Sequence, residues 1–309
     1  MNQKPTLDAS LRRKLVEKLK STGVLHDPRV EAAMLTVPRH TFAPWLTLER
    51  AYANESHALP GAFDVPGASS ESPASTISQP AAVALMLEQA DLKPGQHVLE
   101  IGAGSGYNAA LIAQIIGPQG HVVTVDIEGW VVASARTHLA AAGVTNVLVV
   151  LGDGGLGFKP RAPYDRILAT VGAWEIPPAW FDQLKPDGKI AAPVHLIGKP
   201  HDHDYLVLER EGDHLKGQSM TPLSMVLMRG GNGAHPEARD QPPEPSGQEP
   251  ATIKALHVKV YRNEDSQAPT PRAFVRDGMR ASAVLEKRWT RIEFEADLEP
   301  FTGAAPSEA

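Results

Sequence analysis

Gly102, Gly104 and Gly106 stand at alternate positions between an apolar run that holds an acid, His97-Val98-Leu99-Glu100-Ile101, and Tyr107-Asn108-Ala109-Ala110-Leu111-Ile112-Ala113. A loop so poor in Cβ atoms lets a ligand lie against the main chain. The spacing narrows which ligand. A dinucleotide loop reads G-x-G-x-x-G and sets its last glycine over a pyrophosphate; here that position, counted from Gly102, is the bulky Tyr107, with Asn108 after it. No G-K-[ST] follows either, the ending that holds a nucleoside triphosphate. An adenosyl ligand with an amino-acid tail suits this loop, with Glu100 placed to face the tail's ammonium group.

Two more acids stand in register with the loop. Asp126 closes the apolar run His121-Val122-Val123-Thr124-Val125, roughly twenty residues past Gly102, where a strand-end acid accepts hydrogen bonds from both ribose hydroxyls. Asp153, with Gly152 and Gly154 beside it, closes Asn146–Leu151 and belongs near the adenine. The competing structural role for both acids is to cap the helices that follow them.

A third group carries hydroxyls. Ser75-Thr76-Ile77-Ser78-Gln79-Pro80 precedes a helix over 81–90, so Thr76 or Ser78 either caps that helix or binds substrate beside the glycine loop. Arg39 and His40 invite a catalytic reading, but a loop pinned by Phe42 and Trp45 accounts for them more simply. His195, His201, Asp202, His203 and Asp204 follow no closed zinc spacing and read as a solvated hairpin turn, so no metal is expected.

The elements that must position these groups are legible as alternating periods. Helical spacing covers 8–22 and 27–35, then 81–90, the stretch after the glycines, and 130–142. Strands are predicted at 97–101, 121–126, 146–151, 164–170, 189–197, 205–209 and 223–228, with a turn at Pro186-Asp187-Gly188. Strand–helix alternation argues for an α/β fold, a doubly wound and mostly parallel sheet of the Rossmann-like type, finished by antiparallel strands. Small residues at 171–173 stand at a strand end, where such a sheet meets its ligand. Residues 54–75, rich in Ser, Pro, Gly and Ala, read as a long exposed lid-like loop. A Gly/Pro-rich linker at 230–252 separates residues 1–229 from an extension at 253–309 with strands near 253–261 and 289–298. About fifty residues hardly bury a core alone, so the extension should dock on the main domain, a second copy or substrate.

Composition sets the bounds. The chain has 309 residues, a net charge of −6 and no cysteine, which removes disulfides, thiolate zinc sites and cysteine nucleophiles together. That charge leaves no basic footprint for nucleic acid, no apolar stretch is long enough for a membrane span, and the start Met1-Asn2-Gln3-Lys4 is no signal peptide. A cytoplasmic setting is expected, with no prediction of oligomeric state.

Val37-Pro38-Arg39-His40-Thr41-Phe42, Thr76-Ile77-Ser78-Gln79-Pro80, Val98–Tyr107, Gly152-Asp153-Gly154, Ile176-Pro177-Pro178 and Gln183-Leu184-Lys185-Pro186-Asp187-Gly188 resemble, in order, the protein-L-isoaspartate O-methyltransferases. The resemblance covers about residues 8–228. It implies S-adenosylmethionine as donor and an aspartyl or isoaspartyl carboxylate of a protein or peptide as acceptor. It assigns the active-site serine to Ser78, the donor to Glu100, Gly102, Gly104, Gly106, Asp126, Asp153 and Gly154, and the acceptor to Thr76, Ile77, Val171, Gly172 and Ala173. The chain departs from the family in a longer segment before Thr76, in Trp174, and in Leu223–Arg229 where a Phe-Val-Pro-Leu is usual. These departures and the extension leave two other readings open. One is tailoring of an aspartate in a ribosomally made modified peptide; the other is a non-catalytic binding module that keeps the fold.

Overall fold

The computed structural model describes residues 5–66, 68–70, 72–173, 176–195, 203–212, 214–223, 225–230, 251–262, 273–276, 280–283 and 289–300, the last four stretches as backbone. The expectations for Trp174, His201, Asp202 and nearly all of the linker lie outside the described residues.

Helices α1 (Leu7–Ser21), α2 (Pro28–Thr36) and α3 (Leu48–Ala51) open the chain. Asp27 caps α2 by accepting from Arg29 N, and Pro28 occupies the first turn, where its missing N–H costs nothing. A two-residue hairpin, β1 (His57–Ala58) with β2 (Thr76–Ile77), pinches the ends of the 54–75 segment together. That segment is not simply exposed. Leu59 and Ala62 are buried, and Ala74 N donates to Ala62 O. Next come α4 (Pro80–Ala90), β3 (His97–Ile101), α5 (Tyr107–Ile116), β4 (His121–Asp126), α6 (Gly129–Ala141), β5 (Val147–Leu151), β6 (Tyr164–Ala169) and α7 (Pro178–Asp182). Strands β7 (Leu184–His195), β8 (His203–Glu211) and β9 (His214–Pro222) finish the main domain.

Strands β5, β4, β3, β6 and β7 are parallel in that order, and β8 and β9 add antiparallel. Alternate residues feed two cores. Val98, Leu168, Ala191 and Val207 pack with α1, α2, α4, α5 and α6; Leu99, Ile167, Ile190 and Leu206 pack on the other face with Trp180 of α7. That alternation is the period of two imposed by the pleat.

Three expectations need correcting. Pro186-Asp187-Gly188 is no turn between elements but lies inside β7, where a register shift against β6 absorbs the extra residues. The last strand of the main domain is β9 at 214–222 rather than 223–228, because the chain after Pro222 leaves the sheet and crosses its carboxyl edge. His203 and Asp204 are buried members of β8, not a solvated turn, and His203 pairs with His195 across β7 and β8. In the extension, β10 (Ala251–Arg262) and β13 (Trp289–Pro300) run antiparallel, with the short pair β11 (Ala273–Arg276) and β12 (Arg280–Ala283) between them in sequence. Strand β13 continues the large sheet beside β9.

Candidate active site

A cleft of about 600 Å³ opens at the carboxyl ends of β3, β4 and β6. Ligand sites of open α/β sheets lie at this edge. Its floor is the glycine loop. Gly102 adopts φ +95°, and a Cβ there would stand 2.6 Å from Thr170 Oγ1, which is itself held by the carbonyls of Ile101 and Gly102. Gly104, at φ +49°, faces the Thr76 carbonyl, 3.2 Å from where its Cβ would be. Gly106 does not reach the cleft. It starts α5 with φ +86° and packs against Leu139 and Ala135 of α6, so its part is to bring helix and loop together rather than to touch a ligand.

The acids divide unevenly. Asp126 lines the cleft, and its Oδ2 accepts from Ala103 N at 2.9 Å and Gly104 N at 3.2 Å while Oδ1 accepts from Glu128 N at 3.1 Å. It therefore shapes the loop as well as facing the hollow; burial pushes its pKa up against those amides. Gly154 lines the cleft, but the Asp153 carboxylate does not. Asp153 Oδ1 accepts from Gly155 N at 2.8 Å, capping a short turn, and Gly230 lies so close that a Cβ on it would be 2.8 Å from the same oxygen. The expected place at the adenine is thus roofed by a segment that sequence reasoning put elsewhere. Glu100 also stands back from the cleft. The pleat turns it toward α5, where Asn108 Nδ2 donates to its Oε1 at 2.8 Å. It is fully buried, and that burial pushes its carboxyl from 4.5 up to about 7, against the opposing pull of the Thr124 and Asn108 side chains.

On the opposite wall, Thr76 and Ser78 line the cleft, and Ile77 is buried behind them. Ser78 does not cap α4, whose N-cap is Gln79 without a side-chain bond. Its carbonyl accepts from Arg39 Nη2 at 2.8 Å. Of the three small residues after β6, only Val171 reaches the hollow. Gly172 donates to Val226 O at 2.7 Å and accepts from Met228 N at 2.8 Å, and Ala173 N donates to Pro193 O at 2.8 Å. Both main-chain groups of Gly172 and the N–H of Ala173, expected to help hold a peptide, are already committed, and both residues are buried.

Two walls sharing one hollow is the arrangement that comparison with known proteins addresses. The family model described as protein-L-isoaspartate(D-aspartate) O-methyltransferase matches residues 10–227. The chain belongs to this family. It is 40% identical to a protein-L-isoaspartate O-methyltransferase of Pyrococcus horikoshii over 72% of this chain and 94% of that one. It is 41% identical to the Methanopyrus kandleri enzyme of that name over 65% and 83%. A solved protein-L-isoaspartate O-methyltransferase superposes with a TM-score of 0.64 at 27% identity, over 89% of this chain and 88% of the other. A Plasmodium falciparum chain solved with S-adenosyl-L-homocysteine shares the fold at 20% identity and a TM-score of 0.55, over 70% and 96%.

S-adenosylmethionine is the methyl donor of protein-L-isoaspartate O-methyltransferases, and the residues here suit it. Among the described residues no donor reaches the buried acceptors Glu100 Oε2 and Asn108 Oδ1, and Asn108 lines the recess shared by Ser78, Gly102 and Tyr107. Buried acceptors of this kind fit a ligand that donates, such as an ammonium group. Ile127, next to Asp126, is 37% exposed and lines the cleft, an apolar surface for a planar base. It was missed, although an apolar residue straight after a strand-end acid is visible in the sequence. The other missed wall, Val226-Leu227-Met228-Arg229, had no such signal. Among the described residues no cluster of metal-ligating side chains is present, and no helix is long and apolar enough to cross a membrane.

Proposed function

We propose that this chain transfers the methyl group of S-adenosylmethionine to the side-chain carboxylate of L-isoaspartyl residues in proteins or peptides. The reaction is set in the cytoplasm, where that donor is available. The observation that carries the reading is the shared hollow: Gly102, Gly104, Asp126 and Gly154 on one side, Thr76 and Ser78 on the other. When bound, S-adenosylmethionine supplies an electrophilic methyl group on a sulfonium. An ionised carboxylate is already a nucleophile at neutral pH, so the site needs no general base. The protein's work is placement at near-attack distance. Ser78 Oγ donates a hydrogen bond to the carboxylate oxygen that does not attack. Thr76 and Val171 border the acceptor, and Asp126 holds the ribose end while bracing the loop. Both reacting partners lose charge as the bond forms, so a partly dry cleft favours the transition state. The product ester then loses methanol as the neighbouring amide nitrogen attacks it and closes a succinimide, a step the protein need not assist.

A methyl-transfer assay on an isoaspartyl peptide, its aspartyl isomer and a modified cyclic peptide, with the ester located by mass spectrometry, tests the reading. The isoaspartyl peptide should be methylated at least tenfold faster than its isomer. Ser78→Ala should keep the affinity for S-adenosylhomocysteine within about twofold and lose roughly a hundredfold in kcat, the size of one oriented hydrogen bond at a reacting centre. The second reading, modification of a dedicated precursor peptide, draws on the additional wall that Val226–Arg229 adds to the cleft. Methylation confined to the cyclic peptide would select it.

A further inference from the structure

We infer that Arg39 is a positioning residue for methyl transfer: its guanidinium fixes the Ser78 main chain relative to the glycine-loop end of α5, and so sets the gap that the methyl group crosses. The inference rests on the reading of Ser78 given above.

Arg39 begins a short turn, Arg39–Phe42, and is completely buried. Its Nε donates to Ala51 O at 2.9 Å and its Nη2 to Ser78 O at 2.8 Å, joining chain segments 12 and 39 residues away. The guanidinium carbon stands 5.0 Å from the centroid of the Tyr107 ring, on the first residue of α5 directly after Gly106. Among the described residues no carboxylate lies within ion-pair distance of it, and Nη1 is buried without a protein acceptor. Burial lowers its pKa to about 10 and so leaves it charged at neutral pH.

Burying a cation with no counter-ion is costly, because its lost hydration is not repaid by an opposite charge. If the position only filled the core, a leucine or methionine would serve at no such cost. What an arginine adds is a planar fork whose N–H groups diverge in fixed directions, so one side chain holds two carbonyls while its face lies on a ring. The three groups it touches are the end of α3, the serine segment and the start of α5. Two of these carry the acceptor and donor walls. A misplacement of about 1 Å between reacting groups costs on the order of a hundredfold in rate, so the fork's effect belongs in kcat.

A lysine keeps the charge but offers one point donor, so Arg39→Lys separates charge from geometry. With the full-length protein and an isoaspartyl peptide, Arg39→Lys should lower kcat about tenfold or more. KM and the affinity for S-adenosylhomocysteine should stay within about threefold. In a Ser78→Ala background the same substitution should cost less than about twofold, because the group it orients is gone. Full kcat in Arg39→Lys, or additive losses in the double variant, would overturn the role of Arg39 while leaving Ser78 in place. Full turnover in Ser78→Ala alone would remove both. Should Arg39→Lys not fold, the wild-type protein carries the test. The Arg39 Nε–H resonance, assigned through bonds, should shift when isoaspartyl peptide joins the S-adenosylhomocysteine complex, and an unmoved resonance would overturn the inference.

Discussion

The two walls of the cleft are built in opposite ways. The donor wall is local: β3, the glycine loop and α5 follow one another along the chain, and Asp126 closes the adjacent parallel strand, paired residue by residue with β3 from His97↔His121 to Ile101↔Val125. The acceptor wall is assembled from afar. Ser78 comes from the end of the 54–75 segment, Val171 from the end of β6, and Val226–Arg229 from the crossing after β9. A wall made of consecutive residues tolerates little change at any one of them. A wall made of distant segments can vary in pieces.

The sharpest way to break the local wall is Gly102→Ala. The residue sits at φ +95°, and its Cβ would meet both Thr170 Oγ1 at 2.6 Å and Val171 Cγ1 at 2.9 Å. Strain of about 1–3 kcal/mol is expected from the backbone alone. With the loop as the donor's floor, as proposed above, S-adenosylhomocysteine affinity should fall roughly a hundredfold by calorimetry. An alanine variant binding as tightly as the parent would mean that the loop has slack.

Glu100 tests the same wall more gently, through pH. Its folded-state pKa is raised to about 7 from 4.5, so between those values the ligand-free fold keeps a proton that the unfolded chain has shed. Its contribution therefore favours folding at low pH and is lost as pH rises toward 7. Glu100→Gln should remove that slope: the variant gains Tm relative to wild type as pH climbs from 5 to 7. Donor affinity should run the other way. A ligand ammonium needs the ionised carboxylate, so wild-type affinity for S-adenosylhomocysteine should weaken about tenfold per unit below pH 7 and the variant's should not. Parallel pH profiles would separate Glu100 from the donor.

The same contrast explains what could be read beforehand. The glycine loop and Asp126 were legible at the cleft because each is a short pattern at the end of a strand; Thr76 and Ser78 were pointed to by the family resemblance. The parallel core followed from strand–helix alternation. That Gly172 and Ala173 have main-chain groups taken by Val226, Met228 and Pro193 was not legible, because those partners stand twenty or more residues away. The approach of Gly230 to Asp153, from 77 residues on, was hidden for the same reason. The two-residue bridge at Leu227 carries no hydrophobic alternation that could have announced it. Arg39 shows the reverse case. The simpler account of it as part of an anchoring loop holds for Phe42, which is fully buried, but misses the carbonyls that its guanidinium holds.

The smallest expected effect belongs to the crossing segment, and it decides whether the distant wall closes on the donor or only borders it. Arg229 Nη1 donates to Glu128 Oε1 at 2.5 Å beside the start of α6, and its Nη2 to Ala74 O at 3.3 Å at the end of the 54–75 segment. One side chain thus ties together three segments around the hollow that it lines. The two partners keep 28% and 23% of their side-chain surface exposed, so solvent screens the pair and its worth should not exceed about 1 kcal/mol. Arg229→Met should therefore weaken S-adenosylhomocysteine binding only about two- to fivefold, and mainly by faster release, as expected when contacts around a bound ligand are loosened. Raising salt should speed release from the wild type toward the variant's rate and leave the variant unmoved. Equal release rates at low salt would make this wall a rim, and the donor's hold would then rest on the local wall alone.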